Sequence, residues 1–536
     1  MMSLIKSKTI KRMFVGLLPL AILFGMVCPV HIAQSVVPTT VSILPEAADG
    51  ALTQITDGQS RNYATSHGYK DSTGTANAGR GTISYSTTGG NGVLTLDGVD
   101  LTTDNGLVTA TGGNGDLEIV LVGTNSITST KSTIAATSNN IKFSGTGTLT
   151  ISQNTAGNAI STTTAGNIDF ATTANIALKQ AAGAAAVNSA ANITLTNGNV
   201  SITQSGAADA ITATGNVAIK DGNLDINQST TNAALKAAGT FNMTKGAVMT
   251  KNAGATGNGI DATGTITISG GKIDSSITNA NSTGVPIYSA ENITISGASV
   301  KAMGSAGHSP YGISTVNGKN IVINKGSSIE ALGNTNAINP ANLTIDDTAT
   351  WTAMAGQTAS TATKLKETKG SEIVKAMAAN GYDYIRLYNE VTLEPKSSTF
   401  DKYTASKEHT EITVSVNPNG SALSEIRLGN RALQVGRDYV LNYNGSDPVS
   451  VTLQVREFLE KLPVGRHVLT FSFDNGATAD FALNVVDTKP EEKPVANQED
   501  KLPKTGDETS ILPELLLLTV GVFTIIIATK KKLLSK

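Results

Sequence analysis

Sparse aspartates in the middle of the chain, Asp209, Asp221, Asp225, Asp261 and Asp274 among them, are what acid–base chemistry would have to use, and they read otherwise as exposed polar residues at turns. Such chemistry needs two carboxylates, or a carboxylate with Lys or Arg, converging on one face. Tyr288 and Tyr311 offer flat rings on which a sugar could stack, or simply pack as surface tyrosines. His308, in "GSAGHSPYG", has no Cys, Asp or Glu beside it to build a nucleophilic or metal set, and reads as a solvated surface histidine. "GISTVNGKN" has the wrong spacing for a phosphate loop, and Asn320 stands where Ser or Thr is needed. Near the end, Leu502, Pro503, Lys504, Thr505 and Gly506 form a short polar phrase directly before an apolar run.

These side chains must be held by something built largely without aromatics. The 536 residues include 53 Gly, and aromatics make up 4%, so isolated Ile, Val and Leu have to form the core. A formal charge of −2 gives no reason to expect a nucleic-acid partner. The one cysteine, Cys28, lies in the first apolar stretch, so neither disulfides nor Cys-based zinc sites are available to the rest.

One phrase recurs: "NITLTNGNV" from Asn192, "NVAIKDGNL" from Asn216, "TITISGGKI" from Thr265 and "NITISGASV" from Asn292. Upstream of each copy an apolar residue follows a small one. Tracing that residue gives a column: Ile83, Leu107, Ile134, Ile160, Val187, Ile211, Leu235, Ile260, Ile287, Ile313 and Ile338. Its period is about 25 residues, the signature of a repeat architecture. Within each phrase apolar residues stand two apart, which makes strands with one buried face. Gly198, Gly222, Gly246 and Gly271 mark turns, so each repeat holds about three short strands. One repeat cannot close a core, but stacked coils can. The expectation is an all-β, right-handed parallel β-helix of 10–11 coils over residues 81–356.

Asn140, Asn167, Asn192, Asn216, Asn292 and Asn320 precede the first strand of their coils and read as stacked turn residues bonding neighbouring coils. Solenoid ends need covers. Residues 36–80 are assigned to an N-terminal cap or linker, and 357–390 to a C-terminal cap. That second cap carries a short helix with Ser371 as N-cap, Ile373, Val374 and Met377 on one face, and Asn380-Gly381 as the stop.

From residue 391 to 488 charges return, and period-two strands such as "EITVSV" and "HVLTFSF" alternate with turns such as "NPNG", the pattern of a β-sandwich. This stretch resembles the X2 module, an immunoglobulin-like domain of bacterial surface and cellulose-degrading proteins. The likeness is carried by Thr399-Phe400-Asp401, the phrase from Leu433 through Gly436 and Asp438 to Tyr439, and Leu462 to Phe473. The resemblance implies a spacer with weak binding to cellulose or cell wall. Residues 489–501, Pro-rich and charged, read as a tether.

Lys6, Lys8, Lys11 and Arg12 followed by apolar Met13–Val27 predict a secretory signal peptide over 1–35, since Gly25-Met26-Val27 does not suit lipidation at Cys28. Residues 511–529 are apolar enough to cross a bilayer, and Lys530, Lys531 and Lys532 would hold that end inside. The order pentapeptide, apolar span, basic end resembles the sorting signal of Gram-positive LPxTG cell-wall-anchored proteins. That resemblance implies transient membrane insertion of the tail, cleavage by sortase between Thr505 and Gly506, and transfer of the Thr505 carboxyl to peptidoglycan. The location implied is the extracellular face of the cell wall.

The repeats, for example "LTLDGVDLTTDNG" and "GTGTLTIS", also resemble clostridial-type surface proteins with carbohydrate-binding β-helices. Those relatives are associated with acidic plant polysaccharides and sometimes with calcium; the residues here name neither a metal site nor a cofactor. The expected function is therefore a non-catalytic, carbohydrate-binding or adhesive wall protein, with Tyr288 and Tyr311 as candidate ligand residues. A polysaccharide lyase and a purely structural stalk are the alternatives.

Overall fold

The computed structural model describes short stretches between residues 38 and 77 and most of residues 80–489, with breaks at 89, 114, 156, 306, 404–410, 418–422, 445–446 and 474–476. The expected signal peptide 1–35, Leu502–Gly506, the expected span 511–529 and Lys530–Lys532 lie outside the described residues. Among the described residues no helix is long and apolar enough to cross a membrane.

The chain folds as all-β, and its larger part is a parallel β-solenoid of about ten turns. Each coil contributes to three ladders. Ladder A runs through Leu117–Val122, Ile193–Leu195, Val217–Ile219, Ile266–Ile268 and on to Leu343–Ile345. Ladder B runs through Thr124–Ser129, Asn223–Gln228, Ala247–Asn252 and on to Ser328–Leu332. Ladder C runs from Val108–Thr111 to Asn336–Ile338. Burial alternates with period two along the strands, and the apolar sides meet in one continuous core. Phe143 and Phe170 stack inside it at 5.2 Å and nearly parallel.

Ladder C carries the predicted column: Ile134, Ile160, Val187, Ile211, Leu235, Ile260, Ile287, Ile313 and Ile338 pair in unbroken register. Two expected members do not belong. Val108, not Leu107, pairs with Ile134. Both are fully buried, so the apolar signal leaves the phase open by one residue. Ile83 lies instead in Arg80–Thr88, antiparallel to Asn91–Thr103, opposite Leu96. Antiparallel pairing also closes the start of ladder C, where Thr40–Ile43 lies along Val108–Thr111.

The turn from ladder A to ladder B is set by glycine: Gly198, Gly222, Gly246 and Gly271 all have φ between 79° and 84°. A Cβ on Gly222 would sit 2.4 Å from the Gly198 carbonyl oxygen one coil below. The asparagine column bonds coil to coil as expected. The Asn167 amide donates to Asn140 Oδ1 at 2.8 Å, Asn192 to Asn167 at 3.0 Å, and Asn216 to Asn192 at 2.8 Å.

At the far end Tyr384–Asn389 runs antiparallel to both Ser328–Leu332 and Trp351–Gly356. The helix Gly370–Asn380 buries Ile373 and Met377 and ends at Gly381. Ser371 is not its N-cap. The helix begins one residue earlier, and the Ser371 amide donates to Asp347 Oδ1 at 2.6 Å, so the cap comes from a neighbouring loop. Gly370 permits that start, because a Cβ there would meet the Ile345 carbonyl at 2.2 Å.

Beyond it, two sheets share a second core. One holds Thr392–Glu394, Ile412–Asn417, Asp447–Leu453 and Tyr439–Asn444; the other holds Ser397–Asp401, Thr478–Val486, Gly465–Phe473, Leu423–Leu428 and Arg431–Ala432. Phe400, Phe458, Phe471 and Phe481 fill the space between them.

Candidate functional site

From Ile160 to Ile313 the residue after each ladder C column residue stands between two buried ones. Reading up the coils, these positions hold Ser161, Asn188, Thr212, Lys236, Asp261, Tyr288 and Ser314 in register. Parallel strands lie about 4.8 Å apart, so Asp261 has Lys236 as its neighbour on one side and Tyr288 on the other. Asp209, in the turn two residues before its strand, joins them: its Oδ2 is 3.9 Å from Lys236 Nζ. Asn258 Nδ2 donates to Asp261 Oδ2 at 3.0 Å. Two carboxylates thus flank one ammonium beside an aromatic ring.

Electrostatics sets this group apart. Burial pushes the Asp209 carboxyl above its usual range, against the opposing hydrogen bond from the Ala233 amide and the charge of Lys236. Burial likewise raises Asp261, only partly offset by Asn258 and Lys236, and the Asp209 charge adds to the rise. The Asp209 side chain is 18% exposed, whereas Lys236 keeps 50% of its surface and stays largely solvated.

The other aspartates are placed differently. Asp225 and Asp274 lie on ladder B with Met249 between them, as the repeat implies. The row from Asp274 continues through Lys301, Glu330 and Arg386, with Lys301 and Glu330 paired at 3.4 Å. The Tyr384 hydroxyl donates to Glu330 at 3.1 Å; burial and the Glu330 charge push that hydroxyl's pKa up to about 12. Asp221 pairs with Lys245 at 3.0 Å on an exposed turn. These are charge-alternating surface rows, ordinary on a solenoid.

Tyr288 and Tyr311 are both half-buried and lie on adjacent strands, but not at the same level. Tyr288 faces Ser314, while Tyr311 faces Asn336. His308 is exposed, with Nδ1 3.2 Å from the Ala280 carbonyl. Among the described residues no three His, Cys, Asp or Glu side chains gather as a metal site. A cavity of about 660 Å³ between the last coil and the helix is lined by Asp346, Asp347, Thr344, Ser371 and Lys375, and another of about 510 Å³ by Arg386, Tyr388, Glu390, Lys396 and Asp480. Neither includes the Asp209–Lys236–Asp261 group.

Lys236 was missed in the sequence, as was the meeting of Asp209 with Asp261. The signal was present: Lys236, Asp261 and Tyr288 each follow their column residue by one, so the column alone stacks them.

In the second module, the phrase from Leu433 to Tyr439 proves to be a structural turn. Leu433 and Tyr439 enter the core. Asp438, with a fully buried side chain, accepts hydrogen bonds from Arg431, Arg437 and the Gln434 amide. Among the described residues Phe400, Tyr439, Phe458, Phe471, Phe473 and Phe481 are all committed to that core, and Tyr403 is half-buried.

Residues 393–483 match the family of carbohydrate binding domain X2. Over 107 residues, 20% of this chain, the sequence is 32% identical to Exoglucanase-2 of Thermoclostridium stercorarium, and the match covers 11% of that protein. A tri-modular GH5 (subfamily 4) endo-beta-1,4-glucanase from Bacillus licheniformis aligns with 19% of the chain and 19% of its own, at 22% identity and a TM-score of 0.16. The same enzyme complexed with cellotetraose aligns over 27% of the chain and 25% of its own, at 19% identity and the same TM-score of 0.16. The chain thus carries an X2 carbohydrate-binding domain behind a parallel β-solenoid, and spans about a tenth of the length of the curated relative it matches.

Proposed function

We propose that this protein is a non-catalytic, carbohydrate-binding surface protein, held on a Gram-positive cell wall through Thr505. The observation that carries the reading is the X2 carbohydrate-binding domain at residues 393–483. The curated relative that matches 107 residues of the chain is named an exoglucanase, which favours a polysaccharide ligand. Its two sheets would then be the immunoglobulin-like sandwich of that domain, and the apolar residues 511–529 the sorting helix. Wall anchoring is supported by Leu502–Gly506 standing before an apolar span and Lys530–Lys532. Sortase and peptidoglycan are the partners this assigns, with a polysaccharide as the ligand.

A lyase reading has one observation in its favour, the convergence of Asp209, Lys236 and Asp261. Two measurements decide. Wild-type protein is expected to bind polysaccharides from a plant, host and bacterial-wall panel, with and without calcium, without generating unsaturated sugar ends; new ends would establish the lyase. Thr505→Ala is expected to move the protein from the wall fraction, released only by peptidoglycan hydrolase, to the membrane and medium. Unchanged wall retention would refute the anchoring.

A further inference from the structure

We propose that Asp209, Lys236, Asp261 and Tyr288 form a second glycan-binding site, on the solenoid itself, for a neutral polysaccharide. This rests on the carbohydrate-binding reading above and adds to it a place and a ligand class.

Comparison with neighbouring coils carries the argument. At the position of Lys236, Asp261 and Tyr288, the coils before and after hold Ser161, Asn188, Thr212 and Ser314. Small uncharged residues therefore satisfy the fold there. Three consecutive coils replace them with an ammonium, a carboxylate and a phenol ring, and the adjoining turn supplies a second carboxylate. Two before the column the next coils hold Ala233, Asn258 and Val285. Asn258 Oδ1 accepts from the Val285 amide at 2.9 Å as Asp209 Oδ1 accepts from the Ala233 amide at 2.8 Å, so a neutral amide serves that turn and the charge of Asp209 is not required by it. Burial disfavours ionising both carboxylates. A costly arrangement that the scaffold does not need is a mark of a functional surface.

The chemistry fits sugar hydroxyls. Carboxylates accept from adjacent hydroxyl pairs, Lys236 Nζ donates to a ring or hydroxyl oxygen, and the Tyr288 ring offers an apolar face one rung away. Phe400, Tyr439, Phe458, Phe471, Phe473 and Phe481 of the X2 domain are committed to its core, so Tyr288 offers a stacking face that those rings do not. With two carboxylates to one lysine the trio carries net charge −1 when ionised, which repels a polyanion and admits a neutral chain.

The test uses full-length protein in a detergent that is not sugar-based, with hydroxyethylcellulose and galactomannan as neutral probes and polygalacturonate as the acidic one. Affinity electrophoresis reads binding; hydrogen exchange of peptides spanning 232–263 and 284–290 locates it. We expect a neutral probe to slow exchange in those peptides, and Tyr288→Ala and Asp261→Asn each to weaken that effect about tenfold, the equivalent of one stacking contact and one charge-assisted hydrogen bond respectively. Neither variant is expected to lower the melting temperature. If wild type binds but protection falls only within 393–483, or both variants behave as wild type, the solenoid site is refuted and the carbohydrate reading stands. Tighter binding of polygalacturonate would overturn the neutral class. No binding to any probe would remove both proposals.

Discussion

Asp438 offers the sharpest test of how the X2 domain is held together. Its carboxylate accepts from Arg431 Nη2 at 2.9 Å, Arg437 Nε at 3.1 Å, Arg437 Nη2 at 2.9 Å and the Gln434 amide at 2.9 Å. Its own side chain is 0% exposed, while those of Arg431 and Arg437 remain 51% and 49% exposed. The two ends of the bridge therefore respond differently to Asp438→Ala. Both guanidinium groups recover water, so their loss is heavily discounted. The stranded Gln434 amide costs about 1–3 kcal/mol. Adding a residual ion-pair loss gives about 3 kcal/mol, at the lower edge of the range for breaking a buried pair. Asp438→Asn keeps an acceptor for Gln434 and is expected to cost about half as much. Hydrogen exchange in Gly465–Phe473 and Tyr439–Leu441 reads this directly: about 3 kcal/mol speeds exchange through global opening of the domain by roughly 150-fold. Protection within twofold of wild type in the alanine variant would refute the reasoning. The pH dependence adds a sign. Burial pushes Asp438 up, but the Arg437 hydrogen bond, the Gln434 amide and the two guanidinium charges outweigh it and hold the carboxyl below its ordinary value. The stabilisation is fully present above the unfolded carboxyl value of about 4 and is lost as pH falls through the lower folded value. The gap between wild type and Asp438→Asn is therefore constant from neutral pH to about 4 and narrows below it.

Three further expectations concern the solenoid. Phe241 is fully buried between Val217 and Ile266 of the adjoining coils, so Phe241→Ala is expected to cost about 3–5 kcal/mol. Its exchange should rise in the coils on either side and stay unchanged in the X2 domain. Gly222→Ala forces a side chain into a left-handed turn at φ 84° and against the Gly198 carbonyl, and is expected to cost at least about 1–3 kcal/mol by thermal denaturation. Asn192→Ala removes one donor to Asn167 and one acceptor for Asn216; the positions are partly exposed, so a loss of about 1 kcal/mol and a Tm decrease of ~2–4 °C are expected.

How much of this could be read from the residues depended on where the repeat is strict. Ile134 to Ile338 could be aligned because each is a buried residue of a short ladder C strand, and the structure keeps that register. Ile83 failed because its strand pairs antiparallel, outside the repeat, and Leu107 because Val108 beside it is equally buried and takes the ladder position opposite Ile134. Ser371 looked like a cap because local propensity ranks serine first, but Asp347, 24 residues away, supplies the acceptor. Asp225 and Asp274 share one repeat position and so one ladder, whereas Asp209, Lys236 and Asp261 join a turn residue to two strand residues across coils, a convergence that no single repeat position displays. The X2 phrase was visible as a motif, but its meaning, a buried carboxylate clasped by two arginines, depends on burial that sequence does not display.

The reversal of strand direction at Tyr384–Asn389 has a consequence for length. Every parallel coil edge is a template for one more identical coil, and nothing within a coil says how many should follow. Among the described residues the parallel series is stopped by strands of opposite direction: Tyr384–Asn389 on Ser328–Leu332 at one end, and Arg80–Thr88 on Asn91–Thr103 with Thr40–Ile43 on Val108–Thr111 at the other. Duplicating or deleting one whole repeat between them would leave both terminations intact and change the rod by about 4.8 Å. Reach is thus a quantity that can drift in small, nearly silent steps, while the two ends are fixed.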